Sequence, residues 1–184
     1  MKSVRISMKI LSSLFGLALA LGTVSTAHAQ FDSPFSGREE VTYQAFFPSG
    51  SIRSYLGNGP LNGIGWTHRL TQPPSIGLGR TLFLDWATTG GETTRNFVAG
   101  GLGVQSQISL GTEGTKALFG GGLGWYGTFG NSTTFDPGRK NGPLVRLTAG
   151  LHVTGNLILE GAYFRSLSAG SGVEGMGLRV GVKF

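Results

Sequence analysis

Gly175-Met176-Gly177-Leu178-Arg179-Val180-Gly181-Val182-Lys183-Phe184 closes the chain, and every second residue in it is apolar. Met176, Leu178, Val180, Val182 and Phe184 fall on one side; Gly175, Gly177, Arg179, Gly181 and Lys183 fall on the other. Successive side chains of a β-strand point to opposite faces, so a period of two predicts a strand over Val173–Phe184. One face is greasy, the other glycine and cation. A strand that crosses lipid needs roughly 9–11 residues. Every backbone polar group in hydrocarbon must be paired, so one such strand implies a closed ring of others.

The rest of the chain supplies them. The first strand is expected over Glu40–Phe47, with Val41, Tyr43, Ala45 and Phe47 on one face. The second, Leu61–Leu70, sets Ile64, Trp66, His68 and Leu70 against Gly63, Gly65, Thr67 and Arg69. The third, Ile76–Ala87, sets Leu78, Leu82, Leu84 and Trp86 against Gly77, Gly79, Thr81, Phe83 and Asp85. The fourth spans Arg95–Leu110, with Phe97, Gly101, Gly103, Gln105 and Gln107 on the polar face. The fifth spans Lys116–Phe129, with Gly120, Gly122, Gly124 and Tyr126 there. The sixth, Leu144–Val153, puts Arg146, Thr148, Gly150 and His152 on that face, and the seventh is Leu157–Leu167. A three-residue turn, Thr154-Gly155-Asn156, pairs Val153 with Leu157, Leu151 with Leu159, Ala149 with Gly161 and Leu147 with Tyr163. A two-residue turn would move Glu160 onto the apolar face. Between strands, Pro48–Gly59, Thr88–Thr94, Asn131–Gly142 and Ser168–Gly172 read as loops.

The first residues belong to a different class. Lys2, Arg5 and Lys9 precede an uncharged apolar run, Ile10–Val24, and Ala27-His28-Ala29 fits a small-residue cleavage site. Residues 1–29 are expected to be a signal peptide, 30–39 a lead-in and 40–184 the barrel. Removing 29 of 184 residues leaves 155, enough for one domain. Three of the fifteen basic residues leave with the leader, so the net charge falls from +6 to +3. That is too modest to argue for nucleic acid. There is no Cys, so no disulfide holds the exported chain together. Glycine supplies 33 of 184 residues, far above the usual share of about 7%. It alternates with Leu, Val and Trp rather than forming linkers. No apolar run after residue 30 approaches a membrane helix, so any span is made by strands.

These patterns predict an all-β fold: a closed, eight-stranded, antiparallel, up-and-down transmembrane β-barrel. The chain resembles the small eight-stranded outer-membrane β-barrel proteins of Gram-negative-type bacteria. The resemblance covers the whole mature chain and is most specific in Met176–Phe184. It implies an outer-membrane location, outer-membrane lipids as surroundings, and recognition of Met176, Leu178, Val180, Val182 and Phe184 by the barrel-assembly machinery. Connections after the second, fourth and sixth strands are short, as periplasmic turns of such barrels are; the others are mostly longer. Outward Phe47, Trp86, Trp125, Phe129 and Tyr163 lie late on upward strands, where an outer aromatic girdle is expected. Trp66 falls mid-strand and outside that scheme. Arg80 is outward by strict alternation, either reaching headgroups or turned in by a bulge.

Arg69, Asp85, Arg146, Glu160, Arg179 and Lys183 are expected to point inward, with His152 nearby. Charges withdrawn from water must pair, so the first expectation is a charge network that plugs the lumen. The protein would then be a monomeric barrel with a structural or surface-interaction role. Four fixed positive charges against two negative ones also admit a narrow channel that weakly favours anions. A third possibility is a soluble exported barrel with reversed faces and an apolar ligand inside. A lipid-modifying enzyme is disfavoured, since His152 lies near the periplasmic end, away from Ser166 and Ser168. No cofactor or metal motif is present: three His, one in the leader, and no Cys.

Overall fold

In a computed structural model of the protein, residues 39–71, 78–90, 94–111, 114–130, 140–153, 156–168 and 172–184 are described. Eight strands run in chain order: β1 (Glu39–Ser49), β2 (Leu61–Arg69), β3 (Gly79–Thr88), β4 (Arg95–Ser109), β5 (Lys116–Gly130), β6 (Asn141–Val153), β7 (Leu157–Ser166) and β8 (Glu174–Lys183). Each pairs antiparallel with its neighbours, and β8 pairs with β1, so the sheet closes into a barrel. No helix among the described residues is long and apolar enough to cross a membrane. The expected leader and most of the expected lead-in lie outside the described residues, as do parts of several connections.

Closure explains why the terminal alternation decides the fold. β8 sits between β7 and β1, with Leu178 opposite Gly161 on one side and Ala45 on the other. Every backbone group along Glu174–Lys183 therefore has a neighbouring strand, as a lipid-spanning sheet requires. At the seam, Glu39 N–H donates to Phe184 O at 3.1 Å and Phe184 N–H donates to Glu39 O at 3.0 Å. The register between β6 and β7 is the expected one: Val153 faces Leu157, Leu151 faces Leu159, Ala149 faces Gly161 and Leu147 faces Tyr163. Glu160 consequently points inward, opposite Gly150.

Outward positions are mostly apolar. Leu78, Leu84, Leu102, Leu123, Trp125, Leu147 and Leu178 are all exposed on the wall. That polarity is the reverse of a soluble barrel with an apolar ligand inside. The inward glycines let the strands approach closely. A Cβ on Gly63 would overlap the carbonyl oxygen of Trp86, one on Gly101 that of Leu123, and one on Gly181 that of Val41. All three obstacles are backbone on the neighbouring strand. A barrel of eight strands has an interior only just wide enough for side chains, and glycine is what permits its tight coiling.

Two expectations about the strands and loops need correction. Pro48 and Ser49 belong to β1 rather than to a loop, and the connection continues as a 3-10 turn, Gly50–Ile52, and one helical turn, α1 (Arg53–Leu56). Ile52 and Leu56 turn down into the barrel mouth and are fully buried. The second correction is at β6, which begins at Asn141 rather than Leu144. Pro143 fits there because its carbonyl faces β7, accepting from Leu167 N–H at 2.9 Å just beyond the end of that strand. Its nitrogen lies on the same side, so the one bond its missing N–H forgoes is at the outer end of the β6–β7 ladder and the β5–β6 ladder is intact.

Candidate functional site

The interior is built in three parts. At the end carrying the β1–β2, β3–β4, β5–β6 and β7–β8 connections, it is apolar. Phe46 stacks on Phe97 at 4.8 Å between ring centroids, and Phe164 meets both edge-on at 5.6 and 5.5 Å. Leu61, Tyr126, Leu144 and Val173 complete this cluster, and Ile52 and Leu56 close it from above. The expected filling of arginine, glutamate and glycine is thus confined to the rest of the lumen. Leu118 and Ile158 point inward as well. Inward apolar residues add burial without a charge to satisfy, at roughly 1.5–3 kcal/mol for each large side chain.

Below the cluster lies a ring of four charges. Arg179 Nη2 meets Asp85 Oδ1, and Arg179 Nη1 donates to Glu160 Oε1 at 2.9 Å. Arg146 Nη2 donates to the same Glu160 oxygen at 3.3 Å, and its Nε lies 3.6 Å from Asp85 Oδ2. All four side chains are at most 6% exposed. The guanidinium groups also rest on aromatic faces: Arg146 lies 4.7 Å from the Phe83 ring centroid and Arg179 5.6 Å from that of Phe164. Two cations and two anions therefore close on one another, which is what burial of charge demands. Gly65 lines this ring, and a Cβ there would come within 2.7 Å of Thr42 Oγ1 and 2.8 Å of Asp85 Oδ1.

The third part lies toward the chain termini. Arg69 Nη2 meets Glu40 Oε1, and Arg69 Nε donates to Gln105 Oε1 at 3.1 Å. Gln107, in the amide orientation its neighbours require, accepts from Arg69 Nη2 and Nη1 at 2.8 and 2.6 Å. His152 Nε2 stands 3.5 Å from Glu40 Oε1. Lys183 is only partly buried and has no ion pair among the described residues. A void of about 20 Å³ separates the two charged groups, lined by Thr67, Thr81, Phe83, Gln105, Arg146, Thr148 and Glu160. That is room for about one water molecule.

Of the residues singled out from the sequence, Arg69, Asp85, Arg146, His152, Glu160 and Arg179 are all buried inside. The sequence reasoning passed over Glu40, although Val41 outward already implied Glu40 inward. With Glu40 included, four interior cations face three carboxylates rather than two. Each of the three arginines has a carboxylate partner. His152 and Ser166 are not brought together: Ser166 pairs with Leu144 near one end of β6, and His152 lies near the other. Ser166 Oγ instead accepts from Ser168 N–H at 3.1 Å.

Outside, Phe47, Trp86, Trp125 and Phe129 are exposed toward the loop end, and Tyr163 donates from its hydroxyl to Glu174 Oε1 at 2.7 Å. Trp66 is at the opposite end of the wall, opposite Val41, where Nε1 donates to Glu39 Oε2 at 2.7 Å. Arg80 points outward without a bulge, in register with Val104. In β8, Met176 and Leu178 are exposed, and Val180, Val182 and Phe184 are partly so.

Three solved structures share this architecture. The N-terminal β-barrel domain of Pseudomonas aeruginosa OprF is 18% identical, with a TM-score of 0.51 over 81% of this chain and 98% of that one. Ail, the attachment invasion locus protein of Yersinia pestis, is 13% identical, with a TM-score of 0.54 over 80% and 97%. Neisserial surface protein A is 15% identical, with a TM-score of 0.53 over 79% and 96%. No protein-family model matches the chain, and no curated protein matches it in sequence. The chain has the fold of the small eight-stranded bacterial outer-membrane barrels, and at these identities the likeness speaks for fold alone.

Proposed function

We propose that the protein is a small monomeric integral outer-membrane barrel with a plugged lumen and a structural or surface-interaction role. It would be exported by its N-terminal leader, surrounded by outer-membrane lipids, and handed to the barrel-assembly machinery through Met176, Leu178, Val180, Val182 and Phe184. The observation that carries this is the division of faces: a largely apolar wall, with the buried arginines matched to carboxylates inside. In lipid that is the stable arrangement, and in water it would expose a continuous apolar surface. The ring of Asp85, Arg146, Glu160 and Arg179, together with the Ile52–Leu56 cap, supports a lumen closed to ions. The anion-channel alternative rested on a larger cation surplus than the interior holds. Two of the similar structures are, by name, an attachment protein and a surface protein, which favours an interaction role for the loop end.

The test is gel mobility of the detergent-folded protein with and without boiling, with membrane fractionation and planar-bilayer recording alongside. Heat-dependent migration, recovery with the outer membrane and no steady conductance are expected. Identical migration with the protein in the soluble fraction would overturn the membrane reading, and stable single-channel steps would overturn the plug.

A further inference from the structure

The wall has one polar interruption toward the termini that neither closure nor the lumen uses. Outward positions there hold Glu39, Trp66, His68 and Arg80. Glu39 faces His68 across β1 and β2, and His68 faces Leu82 across β2 and β3. Leu70 N–H donates to Arg80 O at 2.9 Å. Arg80 is therefore the diagonal neighbour of His68 on the same face, a spacing of roughly 7–8 Å that long side chains span.

The groups differ in how far their bonding capacity is used. Glu39 is committed: Oε1 meets His68 Nδ1 at 2.5 Å, and Oε2 accepts from Trp66 Nε1 at 2.7 Å. The Trp66 and His68 rings stack at 5.9 Å, inclined by 20°. These contacts fix the imidazole with Nε2 directed away from Glu39. Arg80 is exposed, and among the described residues its guanidinium has neither an ion pair nor a hydrogen bond. Its polar contacts there run through the backbone: its N–H donates to Thr71 Oγ1 at 2.8 Å, and its carbonyl accepts from Leu70 N–H. A cation on a lipid-facing wall is costly unless it reaches water or an anion. A guanidinium offers two parallel N–H groups that match a phosphate.

We propose that this patch binds the headgroup phosphate of an anionic phospholipid, held between the Arg80 guanidinium and the imidazolium form of His68, whose Nδ1–H serves Glu39 and whose Nε2–H donates to the phosphate. Glu39 and Trp66 are positioning residues: they orient the imidazole and wall the site. The occupant comes from the leaflet at the terminus end of the barrel. This rests on the membrane-spanning reading above. A zwitterionic lipid fits less well, because its ammonium group would share the site with Arg80 while the nearest carboxylate, Glu39, is already engaged.

The experiment uses the full mature chain in nanodiscs of phosphatidylcholine with a minor share of phosphatidylglycerol. Lipid retained after transfer to detergent is read by native mass spectrometry. Wild type should retain phosphatidylglycerol preferentially, and Arg80→Gln or His68→Gln should cut that preference about fivefold, the worth of one juxtaposed cation. Arg165→Gln, which removes an exposed cation at the loop end, should leave it unchanged. Equal loss in Arg165→Gln, or no preference in wild type, would overturn the site. A parallel arm titrates inorganic phosphate into detergent-folded Trp86→Phe/Trp125→Phe protein, leaving Trp66 as reporter. Saturation by millimolar phosphate alone would overturn a lipid as the occupant. Heat-dependent gel mobility is measured for every variant. A heat-modifiable wild type without lipid preference sinks this proposal alone, whereas loss of heat modifiability sinks the membrane reading beneath it.

Discussion

Replacing Arg179 by Met removes one cation from a ring in which Asp85 and Glu160 depend on two. Arg179 contacts both carboxylates, and Arg146 is then left to serve them alone, with its Nε 3.6 Å from Asp85 and its Nη2 3.3 Å from Glu160. Asp85 is wholly buried, so water does not reach it to compensate. Breaking a buried pair by deleting one partner costs about 3–5 kcal/mol, mostly for the charge left behind. That corresponds to roughly 150- to 5000-fold in the folding equilibrium. The double variant Arg179→Met/Glu160→Gln restores neutrality, with Asp85 and Arg146 left as one pair. It should recover about 1–2 kcal/mol relative to Arg179→Met, a non-additivity expected only of groups in one network. The assay is reversible urea unfolding in lipid vesicles followed by tryptophan fluorescence. If Arg179→Met lies within about 0.5 kcal/mol of wild type, the range of an ordinary surface change, the ring is not a buried ion network. Strict additivity in the double variant would refute the coupling.

Gly101→Ala should destabilise by about 1–3 kcal/mol, since its Cβ would meet the Leu123 carbonyl and backbone cannot step aside. Gly127→Ala on β5 has nothing within 4 Å of the new Cβ and should stay within about 0.5 kcal/mol in the same urea assay. Leu56→Ala should cost about 2 kcal/mol by uncovering the Phe46–Phe97–Phe164 cluster, read as a lowered midpoint of thermal unfolding in detergent. Deleting Phe184 should leave refolding in vitro nearly unchanged while reducing the assembled fraction in cells, scored by heat-modifiable mobility; an unchanged assembled fraction would argue against recognition of the C-terminal residues.

Strand periodicity was legible because most inward residues are glycine, polar or aromatic and most outward ones are aliphatic or aromatic. Sequence spacing therefore yielded the Val153–Leu157 register and the inward placement of Glu160. The parts that escaped depend on contacts between distant residues. Ile52 and Leu56 look like loop residues until β1 and β4 bring Phe46 and Phe97 beneath them. Trp66 looked misplaced because its height was judged along β2 alone. It meets Glu39 at the start of β1, so it stands near the terminus end of the wall. Glu40 went unnoticed at the edge of the first strand, although its place in the alternation was readable. The sixth strand was expected from Leu144, yet it extends through Pro143 because the proline nitrogen faces the last bond of the β6–β7 ladder rather than β5.

Which side of the wall meets hydrocarbon can be measured directly, since the chain has no native Cys. Single cysteines at Val145, Leu147, Ala149 and Leu151 on β6, and at inward Thr148 and Ala162, would each carry a nitroxide in lipid vesicles. Collision rates with dissolved oxygen should be high at the four outward sites and low at the two inward ones. Low oxygen and high aqueous-relaxant collision at Leu147 and Ala149, with the opposite at Thr148, would contradict the barrel's assignment of faces.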